Sequence, residues 1–285
     1  MNIQKIVIKK LSKLNIKKDL NKIRKIIKII NPVSKKTLYN DYNLNLVDRN
    51  IKIRTFGNNK SNIIIFLHGG GWATGNADVY TQECENLSKN TNHTVILVDY
   101  RLAPENKFPK GLEDCYEVVK LFYKDNKDII LMGDSAGGNL ACGVTLKAMQ
   151  TKDFKIKKLI LLYPSLQSNY KLNTNFKSVI ENGDDNLLTR QNLEDYMDLY
   201  VKEPNDLDNP LVSPLNSKML KKMPKSLIIV GDKDPLRDEA IEFSKINKKC
   251  KLIIYKNAIH GFMSNPFGKN YIERMYNDIN KFIGE

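Results

Sequence analysis

A doubly wound α/β fold around a mostly parallel sheet is the architecture this 285-residue sequence predicts. Short, nearly continuous apolar runs recur at residues 63–67, 95–98, 129–132, 159–162, 227–230 and 252–254, the texture of strands buried on both faces. Between them lie stretches of helical spacing, near residues 79–88, 112–123, 139–149, 236–246 and 271–282. Strand and helix therefore alternate through most of the chain, and in open sheets of this kind ligands bind beyond the carboxyl ends of the strands.

The elements follow in order. Ile3, Val7, Leu11 and Leu14, then Leu20, Ile23, Ile27 and Ile30, recur at spacings of mostly three and four, predicting one or two amphipathic helices with a Lys-coated back. Asn31 and Pro32 end that pattern. Residues 38–56 alternate like strands, with Ile51, Ile53 and Thr55 on one side, and predict an antiparallel edge pair. The strand–helix series then begins. Residues 168–210 break it: they are polar, rich in Asn and loosely helical, like an insertion over the edge of the sheet.

Composition narrows the classes. With 41% hydrophobic and 27% charged residues the chain is ordinary globular material rather than disordered or collagen-like. No apolar run is long enough to cross a membrane. The net charge of +14 is uneven: residues 1–36 carry 12 Lys or Arg against Asp19 alone, leaving +3 for the rest. With no finger, zipper or stacking motif beside it, that charge reads as a solvated helical face and not as a nucleic-acid patch. The same stripe over residues 1–30 would also suit weak contact with an anionic membrane surface. Cys84, Cys115, Cys142 and Cys250 form no C-x-x-C pair, so neither zinc nor a disulfide framework is expected. Buried thiols and the lack of a secretory apolar core in the N-terminal region predict a cytoplasmic protein.

Three motifs carry chemistry. The run at 129–132 leads into Gly133-Asp134-Ser135-Ala136-Gly137-Gly138 and then a helical stretch, a G-x-S-x-G between strand and helix. A tight strand-to-helix turn lifts a serine hydroxyl clear of the sheet, and Gly133 and Gly137 leave room for the crossing backbone. A Gly-rich turn of this kind could instead cradle phosphate. The run at 63–67 leads into His68-Gly69-Gly70-Gly71-Trp72, whose glycines let main-chain N–H groups converge as an oxyanion hole, joined by the N–H of Ala136. No Lys-Ser/Thr or G-x-G-x-x-G accompanies it, which weakens the phosphate reading.

A serine nucleophile needs a base, and the chain has three histidines. His68 would brace the glycine loop and His93 would lie at the surface or a strand edge. His260 follows the last predicted strand and alone fits the chain order Ser, acid, His. For the acid, Asp234 stands just before Pro235, where it could equally cap a helix, and Asp232 and Asp238 are rivals.

Taken together, residues 68–72, Tyr100-Arg101-Leu102-Ala103-Pro104-Glu105, 133–138, Tyr163-Pro164-Ser165, 234–239 and His260-Gly261-Phe262 resemble, in order, the hormone-sensitive-lipase-like branch of the α/β-hydrolases. The resemblance spans about residues 40–285. It implies an α/β-hydrolase fold with a catalytic domain over 37–285, in which Ser135 is nucleophile, Asp234 acid and His260 base. Gly70, Gly71 and Ala136 would be oxyanion donors, and His68, Gly69, Gly133, Asp134 and Gly137 would shape the motifs. It implies a cap made from residues 1–36 and part of 168–210. It also implies hydrolysis of small or short-acyl esters with no metal or organic cofactor. An amide or formamide hydrolase on the same site, and a non-catalytic ligand-binding protein of this fold, are the alternatives. Residues 168–182 match nothing in the branch, so acyl size is left open, as is the oligomeric state.

Overall fold

The computed structural model describes residues 14–125, 128–184, 187–264 and 268–285. Among these, eight strands form one sheet: β1 (Asn40–Asn45), β2 (Asn50–Phe56), β3 (Ile63–Leu67), β4 (Thr94–Asp99), β5 (Ile130–Asp134), β6 (Lys158–Leu162), β7 (Lys225–Gly231) and β8 (Cys250–Tyr255). Their order is β1-β2-β4-β3-β5-β6-β7-β8. Strands β3 to β8 run parallel, while β1 pairs with β2, and β2 with β4, antiparallel. The chain leaves β3 for β4 on one side and returns to β5 on the other. The crevice between the β3 and β5 ends is thus a topological switch point, where such sheets bind ligands.

Every residue of β3, β5 and β6 is buried, which requires cover on both faces of the sheet. Helices α2 (Thr81–Thr91), α3 (Lys110–Asp125), α4 (Ala136–Thr151), α7 (Arg237–Ile246) and α8 (Lys269–Gly284) supply it, with α3 packed on α4 and α2 on α8. The apolar runs therefore mark the interior strands correctly. The run at 252–254 is the exception. It lies in β8, the outer strand, where Ile254 is 40% exposed, because no further strand covers that edge.

Helix α1 (Ile16–Ile30) begins at Asn15, whose side chain accepts from the N–H of Lys18, and buries Ile16, Leu20 and Ile23. Its apolar face packs on α6 (Arg190–Tyr200), which starts in a capping box between Thr189 and Asn192. The short α5 (Lys177–Glu181) packs on α7 instead. The helical expectation for Ile3, Val7 and Leu11 lies outside the described residues. Among the described residues no helix is long and apolar enough to cross a membrane.

Two smaller expectations are corrected. His93 stands immediately before β4, at the strand's end as one of the two expectations had it, but is buried rather than at the surface, because its ring turns back onto the end of α2 with Nδ1 2.7 Å from the Thr91 carbonyl oxygen. Cys250 is only partly buried, since it opens the edge strand, whereas Cys84, Cys115 and Cys142 are buried; all four are free thiols.

Candidate active site

Ser135 is the residue between β5 and α4, with φ of 52° and ψ of −118°, a strained backbone for a residue with a Cβ. Main-chain bonds hold it there. Its N–H donates to the Leu162 carbonyl at 2.9 Å, and its carbonyl accepts from Asn139 and Ser165. At Gly137 a Cβ would collide with the carbonyl oxygens of Leu67 and His68, so the turn packs directly against the end of β3. Because Ser135 is the N-cap of α4, the positive end of that helix dipole lies at the serine.

The imidazole of His260 bridges two partners. Nε2 lies 2.9 Å from Ser135 Oγ and Nδ1 lies 2.9 Å from Asp234 Oδ2. Asp234 is fully buried in the turn after β7, where Oδ1 accepts from the N–H of Leu236 at 2.9 Å. The Tyr163 ring meets the imidazole edge-on at 4.8 Å between centroids. The other two acids go elsewhere: Asp238 accepts from the N–H of Ser178 in the first turn of α5, and the Asp232 main chain accepts from Arg237 and Asn182 and donates to the Tyr255 carbonyl.

The glycine loop is tied to the same centre. The Gly69 N–H donates to Asp134 Oδ1 at 2.7 Å and to the Tyr80 hydroxyl at 3.1 Å, and Tyr80 donates in turn to Asp134 Oδ2 at 3.0 Å. Burial pushes the Asp134 carboxyl up to about 6 against the opposing pull of those donors. His68 braces the loop from below, with Nδ1 2.8 Å from the Gly69 carbonyl and its ring stacked on Tyr100; burial lowers its pKa. Gly70 and Gly71 take positive φ (109° and 60°), so the chain turns sharply over the serine. Among the described residues no protein acceptor takes the N–H groups of Gly70, Gly71 or Ala136, and all three residues line one cavity with Ser135 and His260.

That cavity, of about 260 Å³, is roofed by Ile16, Ile23, Ile27 and Ile30 of α1 and by Leu193 and Tyr196 of α6. The roof is pinned by polar contacts. Arg24 donates to the carbonyls of Ala73 and Ala103, both at 2.8 Å, and grips both carboxyl oxygens of Glu105 at 2.7 and 2.9 Å. Trp72 stacks on Tyr200 of α6 at 4.4 Å. Tyr80, Arg24 and Tyr196 escaped the sequence reading. The first two sit in no chemical motif, and Tyr196 lies in the polar insertion over 168–210, whose spacing names no facing partner. Among the described residues no group of three or more His, Cys, Asp or Glu side chains is placed to hold a metal ion.

Residues 64–264 match a family model described as alpha/beta hydrolase fold. A viral protein of Acanthamoeba polyphaga mimivirus, named as an alpha/beta hydrolase, is 30% identical over 87% of this chain and 77% of its own. An arylesterase of Saccharolobus solfataricus is 31% identical over 79% of this chain and 77% of its own. A solved esterase of Pyrobaculum calidifontis superposes with a TM-score of 0.81 at 26% identity, covering 95% of this chain and 94% of that one. With a switch-point crevice, a strained serine turn and a matching family model over most of its length, the chain belongs to the alpha/beta hydrolase fold family, in its hormone-sensitive-lipase-like branch.

Proposed function

We propose that this protein hydrolyses small carboxylic esters with short acyl groups, using Ser135 as nucleophile, His260 as general base and Asp234 as the acid that orients it. One observation carries the reading: the unbroken run of hydrogen bonds from Asp234 through His260 to Ser135, both links at 2.9 Å. His260 Nε2 takes the hydroxyl proton as Oγ bonds to the ester carbonyl carbon, and the carbonyl electron pair moves onto oxygen. The N–H groups of Gly70, Gly71 and Ala136 receive that oxyanion, and each such donor typically contributes about 3–4 kcal/mol to the transition state. Collapse breaks the bond to the alkoxide, which takes the proton from His260 and leaves as the alcohol. Water then gives a proton to His260 and attacks the acyl-serine. The carboxylic acid departs, and Ser135 recovers its proton. Asp234 holds the imidazole tautomer and stabilises the imidazolium throughout.

The choice of esters is supported by the names of the arylesterase and esterase relatives. Short acyl groups suit a cavity of about 260 Å³ walled by Ile side chains of the roof. Purified protein should form a covalent adduct with a serine-reactive phosphonate and cleave p-nitrophenyl acetate and butyrate faster than long-chain esters. Ser135→Ala should abolish labelling and lower turnover by roughly 10⁴ to 10⁶. Near-normal hydrolysis by that variant would refute the assignment.

A further inference from the structure

Glu83 lines the same cavity from the first turn of α2, and the proposed chemistry has no use for it. Its Oε2 is buried with no hydrogen-bond partner among the described residues. The carboxyl accepts from its own main-chain N–H, yet burial, with Asp134 nearby adding to the effect, pushes it up to about 7. Of the other buried carboxyl oxygens, Asp134 is satisfied by Gly69 and Tyr80, and the unpartnered oxygen of Asp232 lies off the cavity wall. A buried acceptor left without a donor is costly, and native proteins rarely keep one.

No described residue of the chain supplies the missing donor. Among the described residues that line the cavity there is no Lys or Arg. Two carboxyls, Asp134 and Glu83, thus face a mainly apolar space whose described lining holds no Lys or Arg, and the imidazole of His260 is already engaged by Asp234 and Ser135. Such a space repels an anionic ligand and rewards one that brings its own positive charge and N–H.

We propose that Glu83 is a specificity residue, and that the cavity takes esters bearing a protonated amine whose N–H meets the Glu83 carboxylate. The inference rests on the ester-hydrolase reading for its substrates but not for its binding. Where the amine sits, in the acyl or the alcohol part, is decided by the test.

The test uses pairs that differ only in nitrogen for carbon. Dimethylaminoethyl acetate is compared with isopentyl acetate, and phenyl dimethylaminopropanoate with phenyl isohexanoate. In the native protein kcat/KM should favour the amine of at least one pair. In Glu83→Leu that ratio should fall by roughly ten- to a hundredfold, the range for a hydrogen bond to a charged group. Glu83→Gln, which keeps an acceptor and loses the charge, should fall between. Because each ratio is internal to one variant, general loss of activity does not disturb it. An unchanged ratio in both pairs, within about twofold, overturns the proposal even if esters are cleaved well. Calorimetry with dimethylaminopropyl methyl ketone and its carbon isostere provides the same comparison without hydrolysis. If no ester is cleaved but the amine ketone binds at least tenfold tighter, and Glu83→Leu removes the difference, the hydrolase reading fails and this one stands. Equal binding of the two ketones to the native protein overturns it.

Discussion

The reactive centre and the roof above it are held by different kinds of bond. Ser135, Asp234 and His260 each follow a strand of one sheet, and main-chain hydrogen bonds to Leu162, Gly231 and Tyr255 fix the turns that carry them. The roof is held by side chains: the Arg24 clasp, the Trp72–Tyr200 stack, the pair of Lys17 with Asp198 at 2.5 Å, and the Tyr196 ring over Gly71. Partly exposed ion pairs of this kind contribute about 0–1 kcal/mol each, far less than the burial that holds the sheet. Changes below should therefore decide whether a bond is broken, and changes above should decide which ester is accepted.

The contrast can be broken most severely at Asp234. Asp234→Asn keeps the shape of the buried turn but favours the wrong imidazole tautomer. Turnover on p-nitrophenyl acetate should drop by roughly 10⁴ while thermal melting stays close to the native value. Gly137→Ala comes next. Its Cβ has no space against Leu67 and His68, and overpacking of this kind costs about 1–3 kcal/mol. Activity should fall by at least about a hundredfold because the displaced turn carries Ser135, and melting should drop by several degrees. Tyr80→Phe removes one of the bonds that tie Asp134 to the glycine loop. A loss of about 1 kcal/mol should appear as a roughly five-fold lower kcat with KM little changed.

Above the centre the effects should be smaller and of another kind. Arg24→Ala should leave kcat on acetyl esters within about threefold, raise KM, and flatten the preference for short acyl chains in a p-nitrophenyl ester series. The clasp also predicts a pH signature. The Arg24 guanidinium holds the Glu105 carboxyl down at about 2, below the ordinary carboxylate range. Its contribution is thus complete above the unfolded value, near 4.5, and is lost as pH falls toward 2. The melting difference between native protein and Arg24→Ala should be constant from neutral pH to about 5 and shrink below that. A difference that grows on acidification would mean that Arg24 acts through something other than Glu105.

Much of the lower region is legible in the residue order, and the roof is much less so. Interior strands announce themselves because burial on both faces demands unbroken apolar runs, as at 63–67 and 159–162. The edge strand β8 carries a similar run yet is half open, since neighbours and not composition decide burial there. His260 can be reached by elimination among three histidines. Asp232, Asp234 and Asp238 cannot be separated that way, because all three follow β7 within seven positions. Only the bend of the turn aims Asp234 at His260 and sends Asp238 to cap α5. The amphipathic spacing of Leu20, Ile23, Ile27 and Ile30 predicts a buried face without saying what it faces.

Residue order by itself determined the alternation of strand and helix, the serine turn and the glycine loop, because each depends on neighbours within a few positions. Tertiary structure decided which carboxylate meets the imidazole and that α1 closes over the crevice. It also decided that Glu83 ends in a space with no Lys or Arg among the described residues that line it. Those outcomes depend on groups far apart in the chain whose distances and charges exist only after the sheet has formed.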